Sequence, residues 1–252
     1  IQTIMNRRTI RKYKEQKVPE SIVLKIIELG QRAPTACSLQ TYSIIWIKDE
    51  KKREKIFEAC GKQPFILEAP VTLVICADVR RLIKIMNITG NETSLEKGYG
   101  YEVKLFSIID ATLVAQNMVI AAEALGLGSV YIGNALANQE LMEILNLPPG
   151  VLPLFLLCMG YPDENPPTRP RIPIQTILHI DKYMEKDQEE LLEAIKVMVE
   201  KLEEEGYYEK YSRRKITWTE NVKRKTLSTK EREERIIKNL ERAGYLPNQP
   251  IK

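Results

Sequence analysis

Histidine is nearly absent from this chain. His179 is the only one, which excludes a metal site built from several histidines. Cysteine is also sparse. Cys37, Cys60, Cys76 and Cys158 form no Cys-x-x-Cys pair, and their spacing suits neither zinc nor a disulfide framework. Cys76 and Cys158 stand in apolar runs and are expected to be buried, inert thiols, in keeping with a reducing cytoplasm. The chain has no Gly-x-Ser-x-Gly elbow and no P-loop, so a Ser-His-Asp hydrolase and a P-loop nucleotide site both drop out. A surplus of one charge is missing too. With 38 Lys and Arg against 34 Asp and Glu, the net charge of +4 is too mild for the concentrated basic face of a nucleic-acid binder. The most apolar long segment, 103–127, is interrupted by Lys104, Asp110, Gln116, Asn117 and Glu123, which argues against a membrane span. No signal peptide is visible, and the start at Ile1 rather than Met leaves room for a few leading residues.

What is present is ordinary for a soluble globular protein. The chain has 252 residues, 44% apolar and 29% charged, enough to bury a substantial core. A helix is expected from Pro19 and Glu20 onward, with Ile22, Val23, Ile26 and Ile27 on one stripe and proline at a favourable first-turn position. A loop of small residues follows at 34–38, then a strand at 42–47, a charged helix at 50–60 and a strand at 70–77 buried on both faces. Residues 86–100 read as a loop. Segment 103–127 reads as one long helix, about 35 Å at ~1.5 Å per residue, apolar on nearly every side and therefore surrounded, either as the core axis or at a subunit interface. Strands are expected at 129–133 and 152–159, helices at 138–145, 187–205 and 229–243, and an extended proline-rich run at 162–173. The organisation expected is one domain over 1–252, with 206–252 a charged helical extension anchored by Trp218, Ile236, Ile237 and Leu240 on the body or on a partner subunit.

Two basic clusters carry chemistry. Arg7, Arg8 and Arg11 crowd the start of the chain, and Arg169 and Arg171 sit in the proline-rich run. Guanidinium forks bind phosphate oxygens in pairs, so two distant clusters make chemical sense on one phosphate. Taken alone, either cluster also fits solvated surface. Gly126-Leu127-Gly128 invites a dinucleotide-fold reading, but a helix leads into these glycines and a strand comes out. That is the reverse of the Rossmann order and reads as a helix C-cap and turn.

Four segments in order resemble the nitroreductase family of FMN proteins. They are Arg7-Arg8-Thr9-Ile10-Arg11-Lys12-Tyr13, Ala33-Pro34-Thr35-Ala36-Cys37-Ser38-Leu39-Gln40, the run from Ala121 to Asn134, and Arg169-Pro170-Arg171. Order and spacing are nearest the branch of NADPH-dependent nitroreductases and flavin reductases. The resemblance covers about residues 4–218. It implies an α+β fold with a mixed central sheet flanked by helices, a long buried central helix, and a homodimer with an extended C-terminal region. It implies that Arg7, Arg8, Thr9 and Arg11 hold the FMN phosphate and ribityl chain, with Arg11 reaching toward the ring, and that Arg169 and Arg171 complete the clamp. Thr35, Ala36, Cys37 and Ser38 would line the cofactor from the partner subunit. Gln63 would bond the ring, although it reads equally well as a surface residue. Tyr131, Ile132, Gly133 and Asn134 would lie beside the ring, with backbone N–H groups near N5. The family loop commonly carries serines where this chain has Ala36 and Cys37.

The activity implied is hydride transfer from NADPH or NADH to flavin N5. Nitroaromatic, quinone or flavin acceptors would then be reduced in the same pocket, with no side chain acting as acid, base or nucleophile. Lys210, Arg213, Arg214, Arg232 and Arg235 are candidates for the nucleotide phosphate, and the choice between NADPH and NADH stays open. A non-catalytic flavin carrier or sensor is the alternative, and a basic interaction module is a more distant one. The expected setting is cytoplasmic, without nucleic acid or membrane partners.

Overall fold

The computed structural model describes every residue except Ala137, Arg213, Ser228 and Lys252. Two compact units make up the chain: Ile1–Pro166 with Glu231–Lys252, and Pro167–Lys230. The boundary falls inside the 206–252 segment expected to act as one extension, placing 207–230 in the second unit and 231–252 in the first.

The first unit begins with a single turn, α1 (Gln2–Met5), followed by α2 (Glu20–Gly30), β1 (Tyr42–Trp46), α3 (Glu50–Ala59), the turn α4 (Phe65–Glu68), β2 (Val71–Asp78) and α5 (Arg80–Ile88). Then come α6 (Tyr101–Ala124), β3 (Gly128–Ile132), α7 (Gln139–Ile144) and β4 (Val151–Gly160). The second unit holds α8 (Ile174–Ile177), α9 (Gln188–Glu204), α10 (Tyr207–Ser212) and α11 (Trp218–Thr226), and α12 (Lys230–Ala243) returns the chain to the first.

The sheet has the order β1-β2-β4-β3, and its three ladders are antiparallel. Parallel pairing enters through an isolated bridge between Thr9 and Ser129. All eight residues of β2 are buried, as the unbroken apolar run predicts for a central strand covered on both faces. Helix α6 lies across β2 and packs against α2. The approach to α2 is close: a Cβ on Gly30 would stand 2.3 Å from the Met118 side chain, so only glycine fits.

The long helix forms as expected, with one face buried and one exposed. By length and composition it is apolar enough to cross a membrane, but here it is the core helix of a sheet-and-helix unit. Its buried face carries Lys104, Ser107 and Asp110 among the alanines, valines and Met118, while Tyr101, Leu105, Ile109 and Leu113, spaced four apart, stay exposed. The helix is therefore not surrounded within its own unit. Each buried polar group has a partner. The Lys104 ammonium donates to the carbonyls of Leu246 (3.3 Å) and Gln249 (2.8 Å), fastening the C-terminal segment. The Ser107 hydroxyl is 2.9 Å from the Tyr245 hydroxyl. The loop expected at 86–100 is also more ordered in form. It contains the end of α5 and a 3-10 turn, Ser94–Lys97, that buries Leu95.

In the second unit, α9 opens with a capping box between Asp187 and Glu190, and α11 with another between Thr217 and Glu220. Helices α8, α10 and α11 all pack on α9. His179 accepts a hydrogen bond from the Met184 N–H at 3.3 Å and stacks on Tyr183, a local structural role.

Candidate functional site

The arginine segment is an extended strip held on both sides by backbone. Thr9 bridges Ser129 and the Ile10 N–H donates to the Ser129 carbonyl at 3.0 Å. On the other side Tyr13 bridges Pro162, and the Lys14 N–H donates to the Tyr161 carbonyl at 2.9 Å. Ile10 and Tyr13 turn into the core, while Arg7, Thr9 and Arg11 lie half-exposed. Ile10 seats directly on Gly128, where a Cβ would come within 2.3 Å of its side chain. Gly128 is thus needed for this docking, while Gly126, with φ +79°, makes the turn after α6. The Tyr13 hydroxyl donates to the Ile10 carbonyl at 2.8 Å, and burial pushes its phenol far up.

Around this strip lie groups that sequence reasoning did not single out. The Glu164 carboxylate accepts from the N–H of Arg11 (2.5 Å) and of Lys12 (3.2 Å), pinning the strip through its backbone. The Arg8 guanidinium donates through Nη1 to the Asn165 carbonyl oxygen, yet its buried Nε has no partner. Glu123, in the last turn of α6, lies within electrostatic reach of Arg7 and Arg8, which favour its ionised form. Burial nevertheless raises its carboxyl above the ordinary range, and its Oε1 is buried without a partner. The Ser129 hydroxyl is likewise buried and unpartnered. Arg8 Nε, Glu123 Oε1 and Ser129 Oγ are thus three orphaned polar atoms on adjoining residues. Buried polar atoms without partners are uncommon and need a reason.

Strand β3 carries this region on to the glycine turn. Tyr131 packs edge-on to Phe155 with ring centroids 5.0 Å apart, and its phenol is pushed up to about 12 by burial, with Arg7 opposing. Ile132 is 2% exposed, so its side chain belongs to the core and only its backbone is available to a ligand. Gly133 is exposed, with no atom within 4 Å of where a Cβ would stand. Asn134 donates to the Cys60 carbonyl at 3.3 Å, and Gln63 donates to the same carbonyl at 3.0 Å. Asn138 donates to the Ala59 carbonyl, so the 59–63 turn is clasped to the end of β3. The structure therefore gathers Arg7, Arg8, Thr9, Arg11, Tyr131, Ile132, Gly133, Asn134 and Gln63 along one strand and its neighbours.

Thr35, Ala36, Cys37 and Ser38 lie on a separate loop that Asp110 organises. The Asp110 carboxylate, 1% exposed, accepts from the N–H of Ala36 (2.9 Å), the N–H of Thr41 (3.2 Å) and the Thr41 hydroxyl (2.8 Å). Arg81 donates to the carbonyls of Gln40 and Tyr42. These anchors sustain left-handed backbone at three residues with side chains: Cys37 (φ 49°), Ser38 (φ 57°) and Gln40 (φ 53°). The loop borders a cavity of about 540 Å³ together with Gln31, Arg32, Ala33 and Pro34. Cys37 is the exposed thiol. The other three cysteines are fully buried, and burial pushes Cys60 to about 11 and Cys76 and Cys158 to about 12.

The second arginine pair belongs to the second unit. Arg169 is ion-paired with Glu205, and its guanidinium lies 4.2 Å from the centre of the Tyr207 ring and 5.0 Å from that of Tyr211. Arg171 turns back onto the carbonyls of Arg169 (3.1 Å) and Pro170 (2.9 Å). Both line a cavity of about 460 Å³ with Lys201 and Glu204. Among the candidates for the nucleotide phosphate, Arg214 lines a cavity of about 350 Å³ with Tyr208, Lys215 and Thr217, and Lys210 lies 5.2 Å from the Tyr211 ring. Arg232 and Arg235 are exposed on α12, and Arg213 lies outside the described residues.

Comparison with known proteins agrees with this layout. The family model described as the nitroreductase family matches residues 4–161, a span that contains every candidate flavin-site residue of the first unit. The FMN reductase [NAD(P)H] of Bacillus subtilis strain 168 is 35% identical over 225 residues, 88% of each chain. An NADPH-dependent oxidoreductase of Staphylococcus saprophyticus is 32% identical over 248 residues, 96% of each chain. The NADPH:FMN oxidoreductase of Vibrio harveyi, solved in complex with NAD+, superposes with a TM-score of 0.81 at 29% identity over 96% of both chains. With the arginine strip, the Asp110-held loop and the open glycine after β3 all inside the matched span, this chain belongs to the nitroreductase family.

Proposed function

We propose that the protein is an NAD(P)H-dependent FMN oxidoreductase whose flavin phosphate is held by the N-terminal arginine strip. The observation that carries this reading is the cluster of buried, unpartnered Arg8 Nε and Ser129 Oγ beside Arg7 and Thr9. A phosphate supplies acceptor oxygens for such donors, and guanidinium groups take them in charge-assisted pairs. The rest of the site fits a flat ring. Gly133 leaves open space over its backbone, and the amides of Gln63 and Asn134 are fixed beside it on one carbonyl. When bound, FMN supplies the redox chemistry by accepting hydride from a reduced nicotinamide and passing electrons to an acceptor.

The protein's own work is binding, orientation and electrostatics. Arg7, Arg8 and Arg11 provide positive potential, and Thr9 provides a hydroxyl. The N–H groups following Ile132 provide donors at an exposed turn. Tyr131 stays neutral across the working range because burial holds its phenol up, so it offers a flat apolar wall with no charge. Nitroaromatics, quinones, free flavins and, by analogy with the chromate reductase of Pseudomonas sp. strain G-1 (33% identical), oxidised metal anions are the acceptor classes to test. The role of Arg169 and Arg171 on the same phosphate is proposed from the sequence resemblance alone.

A homodimer is part of the proposal. The stripe of Tyr101, Leu105, Ile109 and Leu113 is an apolar face on a core helix, and solvent is a poor partner for it. In such a dimer Thr35, Ala36, Cys37 and Ser38 would approach the flavin of the partner subunit.

The test is an absorption spectrum of the purified protein after incubation with FMN, followed by anaerobic addition of NADPH and then NADH. A yellow protein bleached by either donor, with oxidation restored by a quinone, is expected. Protein that stays colourless with excess FMN would overturn the flavin reading. Flavin that is bound but not bleached would leave a carrier.

A further inference from the structure

The loop between α2 and β1 has a backbone that its own side chains do not hold. Its 3-10 turn, Ala36–Ser38, receives no cap from the Thr35 side chain. Cys37, Ser38 and Gln40 stand at positive φ, which residues with a Cβ adopt only at a cost. The restraint comes from Asp110, buried in the middle of α6. One carboxylate oxygen accepts from the Ala36 N–H at 2.9 Å, where the turn opens. The other accepts from the Thr41 N–H at 3.2 Å and the Thr41 hydroxyl at 2.8 Å, where the loop closes. Thr41 is buried as well, so its N–H needs an internal acceptor. Arg81 grips the far end, at the carbonyls of Gln40 and Tyr42, whereas Asp110 reaches the turn itself. One carboxylate thus fixes the separation of the loop's two ends, and the strained residues lie between them.

The residue before Asp110 is Ile109, which belongs to the exposed apolar stripe of α6. Consecutive residues of one helix therefore serve two surfaces: Ile109 the face proposed to meet a second copy, Asp110 the loop proposed to line the flavin of that copy. We infer that Asp110 is the positioning residue of this loop. By tying Ala36 to Thr41 it sets the backbone of Cys37 and Ser38 as a second wall of the flavin site, separate from the arginine strip that takes the phosphate. Asp110 acts through the loop and touches neither flavin nor acceptor, so it is not a catalytic residue. The inference rests on the proposed flavin dimer and deepens it by dividing the site into two parts. One part is read by the phosphate and the other by the ring.

The discriminating variant is Asp110→Asn. It keeps the shape but exchanges one acceptor oxygen for an NH2 group, so a donor faces a donor at Ala36 or at Thr41. Cys37 reports on the loop directly. It is the exposed thiol, and Cys60, Cys76 and Cys158 are buried, so alkylation of the folded chain by iodoacetamide reads Cys37. Labelling rates are measured for the full chain without flavin and saturated with FMN, and the affinities for FMN and riboflavin are taken from flavin fluorescence. In the wild type, FMN should slow the labelling of Cys37. In the variant, saturating FMN should leave the rate near that of the apoprotein. Both flavins should bind the variant about tenfold more weakly, the worth of one lost hydrogen bond. The FMN-to-riboflavin affinity ratio should be unchanged, because the arginine strip is untouched. A residue that merely supports the fold would not separate these readouts. Protection of Cys37 equal to the wild type's, or a ratio that collapses with the affinity, overturns the inference and leaves the flavin reading standing. FMN that binds the wild type without slowing Cys37 labelling does the same. A wild type that binds no FMN defeats the flavin reading and this inference with it. If Asp110→Asn does not fold, Thr41→Val, which removes one of the three donors, decides: FMN-saturated Cys37 should label faster than in the wild type, and an unchanged rate overturns the inference.

Discussion

Arg8 and Arg169 carry the same side chain in two units of the molecule, and their surroundings differ in kind. Arg8 has one bond to Asn165 and a buried Nε with nothing to donate to. Arg169 is paired with Glu205 and lies against the rings of Tyr207 and Tyr211, with its side chain 16% exposed and that of Glu205 10% exposed. Burying a donor without a partner costs free energy, so a fold keeps one only where a ligand or water completes it. A guanidinium whose donors are spent on a buried carboxylate and stacked on aromatics is instead holding structure together. Resemblance alone gave the two residues one role. The geometry of each unit leaves Arg8 with a buried donor unpartnered and sets Arg169 against a carboxylate and two aromatic rings.

The strongest challenge to that contrast is Arg169→Ala. It leaves Glu205 buried without its cation, and the apoprotein should lose about 3 kcal/mol of stability in urea unfolding. A loss within about 0.5 kcal/mol, the range of an ordinary surface change, would mean that the pair with Glu205 does little to hold the fold. Arg8→Ala should behave in the opposite way. Apoprotein stability should hold within about 0.5 kcal/mol, while FMN affinity falls roughly thirtyfold, the worth of one charge-assisted contact. Arg11→Ala keeps the contact to Glu164, which runs through the backbone N–H, and its FMN affinity should fall as for Arg8→Ala. Equal losses of stability and FMN affinity in either variant would erase the distinction.

A smaller effect tests whether the Arg8 site is completed in trans. Ile109→Glu puts a charge on the exposed face of α6, 51% exposed in the single chain. Sedimentation should then show a monomer whose FMN affinity is lower by about tenfold, since the Thr35–Ser38 side would be lost. A dimer that persists, or a monomer that retains FMN fully, would mean one chain suffices. The smallest expected effect concerns Glu123 in the apoprotein. Its carboxyl titrates higher folded than unfolded, so the folded state holds the proton longer. Stability should therefore drop as pH rises from the ordinary carboxylate range through the raised folded value. Denaturation midpoints of wild type and Glu123→Gln, compared across that window, should diverge as pH rises. Parallel curves would show that Glu123 titrates as it does in the unfolded chain.

The elements legible in the sequence were those whose signal is local. Helix α2 follows from a proline start and a stripe of Val23 and Ile26, and β2 from an unbroken apolar run. Buried Cys76 and Cys158 follow from their apolar runs, and the end of the last helix follows from Gly244. Helix α5 was not legible. It has no side-chain cap on Val79, and its start is supported by the Asp78 carboxylate accepting from the Arg81 N–H at 3.1 Å. That residue belongs to the preceding strand, so the helix signal sits inside another element. Helix α11, with its capping box at Thr217, was not separated out within a stretch read as one charged helical extension.

By itself the sequence determined the arginine cluster, the glycines at 128 and 133, the order of the core elements and hence the family. Composition and spacing survive in a one-dimensional reading. Only the tertiary structure decided which polar residues are partners. Asp110 and Glu123 read as interruptions in an apolar helix until Asp110 is seen gripping the loop at Ala36 and Thr41 and Glu123 is seen behind Arg8. The physical reason is that a buried polar group is stabilised by a partner it meets in space. Asp110 meets Ala36 across 74 residues of chain, and a separation of that length leaves no local mark.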